Sequence, residues 1–153
     1  MALSYLLELS TPASLDDVAS RLRALLGAAP GAGAKFDVPA MNVAVREPSE
    51  SSRDVALEVW RIEPTLRASF YVHSNAPDED YEAARRGLSL ASADLVAELD
   101  AEAVLHFQGD RALLRRTEGI LYLYDWWPEW TADQVVPNLP QPFEMIHGNG
   151  VPD

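Results

Sequence analysis

At 153 residues and 16.8 kDa the chain has the length of one domain, and a chain of this size buries about 68–70% of the surface that its unfolded form exposes, enough for a core without staples. Hydrophobic residues at 48% and charged residues at 24% lie near globular averages, which excludes wholesale disorder and low-complexity or collagen-like classes. Twelve Lys and Arg against 24 Asp and Glu give a net charge of −12 and a pI near 4.5; this argues against nucleic-acid phosphates and anionic membranes as partners and favours a cationic one.

The sequence has no cysteine, so disulfides, thiol nucleophiles and Cys-ligated zinc are excluded. The opening Met1 to Leu7 has no basic region and is broken by Glu8, unlike a secretory signal, and no apolar run approaches the ~20 residues of a membrane span. The expectation is a soluble cytoplasmic protein forming a single domain over residues 1–153, with 126–153 as a C-terminal wrap or tail.

In chain order, Ser4 to Ser10 reads as a strand stopped by Thr11-Pro12-Ala13. Ser14 caps a helix with Asp16 and Asp17 in its first turn and Leu15, Val18, Ala19, Leu22, Leu25 and Leu26 on one face, ended by Gly27. Gly27 to Ala34 reads as a flexible connection. Three strands are expected at Met41 to Arg46, Val55 to Ile62 and Arg67 to His73, divided by a polar loop over Pro48 to Arg53 and a turn at Glu63-Pro64-Thr65. A second helix from about Pro77 to Asp100 carries Tyr81, Ala84, Leu88, Ala91, Leu95 and Leu99 at steps of three and four, with Gly87 as a point of bending. Strands at Ala103 to Gln108, Ala112 to Arg116 and Ile120 to Tyr124 follow, joined by turns at Gly109-Asp110 and Thr117-Glu118-Gly119. A short helix around Thr131 to Val136 and a proline-rich tail that wraps rather than pairs complete the chain. The order β-α-β-β-β-α-β-β-β predicts an α+β fold, an antiparallel sheet of about six to seven strands with two amphipathic helices packed on one face.

Catalytic and ligand motifs fail on inspection. Gly31-Ala32-Gly33-Ala34-Lys35 lacks the Gly before Lys, the following Ser or Thr and the preceding strand of a phosphate loop. His73, His106 and His147 form no HExxH or i, i+4 pair, and no Gly-x-Ser-x-Gly marks a nucleophile, so no catalytic residue, metal or cofactor is expected. His73 and His106 read as structural strand residues. Arg111, Arg115 and Arg116 are expected to pair with carboxylates across strands. Two groups are candidates for partner binding. Asp78, Glu79, Asp80 and Glu82 form an acidic patch that also suits a helix start. Asp125, Trp126, Trp127, Glu129 and Trp130 set aromatics among acids, with at least one indole expected at the surface. After Arg116 there are six acids, including Glu118, Asp133, Glu144 and Asp153, and no Lys or Arg.

Met1-Ala2-Leu3-Ser4-Tyr5-Leu6-Leu7-Glu8-Leu9, the Gln108 to Arg116 segment with its Leu113-Leu114-Arg115-Arg116, and Gly119-Ile120-Leu121 through Trp126-Trp127 resemble the Sit-type immunity protein family, with the parts in order along nearly the whole chain. The Gly27 to Ala34 insert and the tail after Val136 have no counterpart in that resemblance. It implies a bacterial cytoplasmic antitoxin, without catalysis or cofactor, that binds and neutralises a cognate polymorphic toxin by occlusion. A basic toxin would be steered by the charge of −12. The alternatives are a general acidic protein-interaction or regulatory domain and a small enzyme with an unmarked site, and a free sheet edge leaves a homodimer open.

Overall fold

A computed structural model describes residues 2–133, 135–148 and 150. Met1 of the opening motif and Asp153 of the acid count lie outside them. Three helices, α1 (Leu15–Leu25), α2 (Glu50–Trp60) and α3 (Asp78–Glu98), accompany eight strands: β1 (Ala2–Ser10), β2 (Lys35–Val38), β3 (Met41–Arg46), β4 (Leu66–His73), β5 (Glu102–Phe107), β6 (Arg111–Thr117), β7 (Ile120–Tyr124) and β8 (Phe143–Ile146). The strands form one sheet in the order β2-β3-β4-β1-β5-β6-β7-β8, antiparallel throughout except for the parallel β7–β8 pair. The α+β class holds, with one more helix and a wider sheet than the sequence implies.

The N-terminal strand becomes central because it carries the apolar alternation needed at the middle of a sheet. Tyr5, Leu7 and Leu9 point to the face covered by α1 and α3, where they join Leu66, Ala68, Phe70 and Val72 of β4 and Ala103 and Leu105 of β5. Helix α1 is capped as expected: the Ser14 side chain accepts from Asp17 N–H at 3.1 Å, and Val18, Ala19 and Leu22 are buried. Helix α3 runs unbroken through Gly87. A Cβ there would lie 3.4 Å from Leu26 Cδ2, so the glycine gives the C-terminal end of α1 room against α3. The Glu118-Gly119 turn has φ of 53° and 79°, the two positive values of a type I′ hairpin.

Three expectations are corrected. Val55 to Ile62 is not a strand; all but its last two residues belong to α2. Ser49, placed in a loop by sequence, is the N-cap accepting from Ser52 N–H at 3.2 Å, and Arg61 ends the helix at φ 59°. The alternating apolar residues misled because what the site buries is Ala56 and Trp60, four apart, while Leu57 stays exposed. Lys35 to Val38, adjoining the glycine-rich connection, forms β2 in a hairpin with β3 around Ala40 at φ 64°. The tail does not only wrap: Trp130, Val135 and Leu139 are buried along two 3-10 turns, Pro128–Thr131 and Val136–Asn138, after which β8 pairs with β7. The extra helix α2 lies on the face opposite α1 and α3, where Ala56, Trp60 and Ile62 pack on Val104 and Ala112 as a separate cluster.

Candidate functional site

The sheet register gathers both candidate groups at one end of the molecule. The ends of β4, β5 and β7 and the starts of β1 and β6 meet there, and the start of α3 carries Asp78 to Glu82 while the segment after β7 carries Asp125 to Trp130. Arg85 of α3 joins them: its guanidinium lies 3.4 Å from the Glu129 carboxylate and 4.5 Å from the Trp127 ring centroid.

Asp78, Glu79 and Glu82 are exposed, and Asp80 is half-buried beside a groove of about 260 Å³ lined by Leu25, Leu26, Val38 and Met41. Pro77 at the N-cap makes no side-chain hydrogen bond. Asp78, Glu79 and Asp80 therefore supply the negative charge that the free N–H groups of the first turn attract, worth about 0.3–1 kcal/mol each at an exposed helix start. Their exposure leaves them available to a cation as well.

The tryptophan segment is spent on the fold. Trp130 is 0% exposed and donates to Leu113 O at 2.7 Å; Trp127 is 4% exposed, donates to Ser89 Oγ at 2.8 Å and packs on Tyr5. As contact residues Trp127 and Trp130 are corrected: a C-terminal wrap has to bury its anchors, and each indole N–H finds its acceptor inside. Burial also pushes the Tyr5 hydroxyl up to about 12, with Tyr81 adding to the shift. Trp126 is half-buried, donates to Ala112 O and lies under the Arg111 guanidinium, 4.1 Å from its ring centroid.

Asp125 clamps the chain that follows β8, accepting from Gly148 N–H at 3.0 Å and from His147 Nδ1 at 2.9 Å. The Gly148 N–H, then His147, hold the Asp125 carboxyl below its ordinary range, and Asp125 in turn raises the His147 imidazole. The arginines pair less across strands than expected. Arg116 reaches Asp100 at 2.8 Å, Arg115 donates to Trp60 O at 2.6 Å, and Arg111 lies 3.7 Å from the carboxylate of its neighbour Asp110.

Sequence reasoning missed a buried polar node beneath α2. Glu8, 0% exposed, is paired through Oε1 with Arg67 Nε, and His106 Nε2 lies 3.7 Å from the same oxygen. Trp60 stacks on the His106 ring at 5.0 Å. His106 Nδ1 accepts from Gly109 N–H at 3.0 Å, which puts the proton of a neutral ring on Nε2. The one signal was Glu8 itself, a charge inside an apolar strand. Neither Glu8 Oε2 nor His106 Nε2 is exposed to solvent, so the pair is not presented to a substrate. Among the described residues no group of three or more His, Asp or Glu is placed to hold a metal ion, and no helix is long and apolar enough to cross a membrane.

Fold and site together define an α+β protein on a single mixed sheet, with two acidic groups brought to one sheet end and Trp127 and Trp130 buried there as internal anchors. A family model described as SitI3-like matches residues 3–134, and the chain belongs to that family. The match spans the Gly27 to Ala34 connection and stops before β8. No curated protein and no solved structure matches the chain.

Proposed function

We propose that this chain is a Sit-type immunity protein that acts in the cytoplasm of a bacterium, binding a cognate protein toxin and neutralising it by occlusion, without catalysis or cofactor. The observation that carries the reading is membership of the SitI3-like family over residues 3–134. The surface supports it. Asp78, Glu79, Asp80 and Glu82, with Asp125, Glu129 and the half-buried Trp126, give a basic protein an acidic end to dock on, and the net charge of −12 steers the encounter. Trp127 and Trp130 hold that end in shape from within.

The test is survival of cells that express the toxic domain encoded beside this gene, counted as colony-forming units with and without this protein. Rescue restricted to that pair is the expected result. Death of the cells despite well-expressed, folded protein would reject the reading.

A further inference from the structure

We propose that α2 is a flap that lifts from the sheet as a unit while α1, α3 and the sheet remain folded.

The argument begins with what lies under each helix. Helices α1 and α3 sit on the main core, a mostly apolar surface of Leu, Val, Phe, Ala, Tyr and Met side chains contributed by β1, β3, β4 and β5. Helix α2 buries only Ala56 and Trp60 of its own residues, in a small cluster with Ile62, Val104 and Ala112 that is separate from the main core. At roughly 25 cal/mol per Å² of apolar surface, so small a cluster supplies a fraction of what anchors the other helices. Val55 and Leu57, which flank Ala56 on α2, are 54% and 50% exposed.

The floor beneath α2 is charged and polar. Cross-strand register places Arg46, Arg67, Glu8, Val104 and Arg115 in one row and Ser69, Leu6, His106 and Ala112 in the next, all on the α2 side. Glu8 Oε2, Ser69 Oγ and His106 Nε2 are buried there and find no hydrogen-bond partner among the described residues. A buried polar group without a partner costs about 1–3 kcal/mol, and a buried ion pair recovers little of its desolvation. Lifting α2 hydrates these groups, so the floor opposes docking where the main core favours it. The ties that hold the helix down are few and sit at its two ends: Arg67 Nη1 to Ser52 Oγ at 3.4 Å, and Arg115 Nη2 to Trp60 O at 2.6 Å, beside the Trp60–His106 stack. An open groove of about 430 Å³, lined by Ser51, Ser52 and Val55 on the helix side and by Leu6, Arg67 and His106 on the sheet side, already runs along one flank. A weakly buried element over an unsatisfied polar floor belongs at the low end of the local stability range. The inference concerns this chain alone and stands or falls independently of the toxin reading.

Hydrogen exchange of the whole protein under native conditions tests it, because α1 and α2 are both 11 residues long and so fray alike. Amides of Ala56 to Trp60 are expected to exchange at least about 100-fold faster than those of Arg21 to Leu25, without denaturant. Equal rates in the two helices would overturn the proposal. The double variant Glu8→Met, Arg67→Met replaces the ion pair with apolar chains of similar length, and slows α2 exchange by about tenfold or more if the polar floor sets the opening. Unchanged or faster α2 exchange in that variant, with α1 and α3 protection intact, counts against it; if the variant does not fold, the comparison of α2 with α1 decides alone.

Discussion

Trp130 and Asp125 sit five residues apart and do opposite work. Trp130 fills a fully buried site and its N–H bonds to Leu113 O, so Trp130→Ala leaves a cavity and an orphaned carbonyl. A loss of about 3–5 kcal/mol is expected, read as a lower midpoint in urea unfolding. Asp125 works at the surface, through charge. Its ion pair with His147 has a defined pH window: the raised imidazole contributes stability that is full below its unfolded value near 6.5 and fades as pH rises through the folded value. The depressed carboxyl contributes above its unfolded value near 3.8 and fades as pH falls through the folded value. The clamp on the chain after β8 is therefore tightest between about pH 4 and 6.5. Both side chains meet solvent, so the effect is small in energy and is read best by NMR, where Asp125→Asn should return the His147 ring titration toward the ordinary histidine value. A titration that does not move would show that Asp125 is not the partner in solution.

Among the elements, β2 illustrates how a free edge is managed. Ala34 O faces β3, accepting from Val45 N–H at 2.8 Å, so the alternation of the ladder turns the Lys35 carbonyl toward the open edge. Arg23 of α1 covers it, donating to Lys35 O at 3.0 Å and to Ala32 O at 3.3 Å, with its guanidinium 4.8 Å from the Phe36 ring centroid. One side chain thus fixes the glycine-rich connection and caps the edge that would otherwise pair with another strand. Arg23→Ala should expose that edge and produce concentration-dependent self-association, visible as a rising mass in size-exclusion chromatography with light scattering. A variant that keeps the wild-type mass at every concentration would show that the edge needs no cap.

For the whole molecule the governing quantity is charge. A net −12 with four acids at one helix start predicts that association with a basic toxin is fast at low salt and weakens on screening. Affinity for the toxic domain encoded beside the gene should fall about tenfold or more between roughly 50 mM and 500 mM salt. Replacing Asp78, Glu79, Asp80 and Glu82 together by Asn and Gln should lower the association rate more than it raises the dissociation rate, as measured by surface plasmon resonance. Binding indifferent to salt and to these substitutions would move the interface away from this end.

Local chemistry in the sequence determined α1, α3, the β5–β6–β7 meander and the strand β1, because Ser14, the acids after Pro77, the Glu118-Gly119 turn and the alternation of Tyr5, Leu7 and Leu9 act within a few residues of themselves. Tertiary structure decided the rest. Helix α2 hid behind an apolar alternation that suited a strand equally well, and its cap Ser49 lay in what resembled a loop. Short β2 and β8 carry too few residues to declare themselves and become strands only because β3 and β7 offer them edges. The acidic patch at the start of α3 was legible because charge is a property of composition. Whether Trp126, Trp127 and Trp130 faced a partner or the interior was not, since an indole beside an acid serves either use until the acceptors Ala112 O, Ser89 Oγ and Leu113 O are brought within reach of their N–H groups by distant segments.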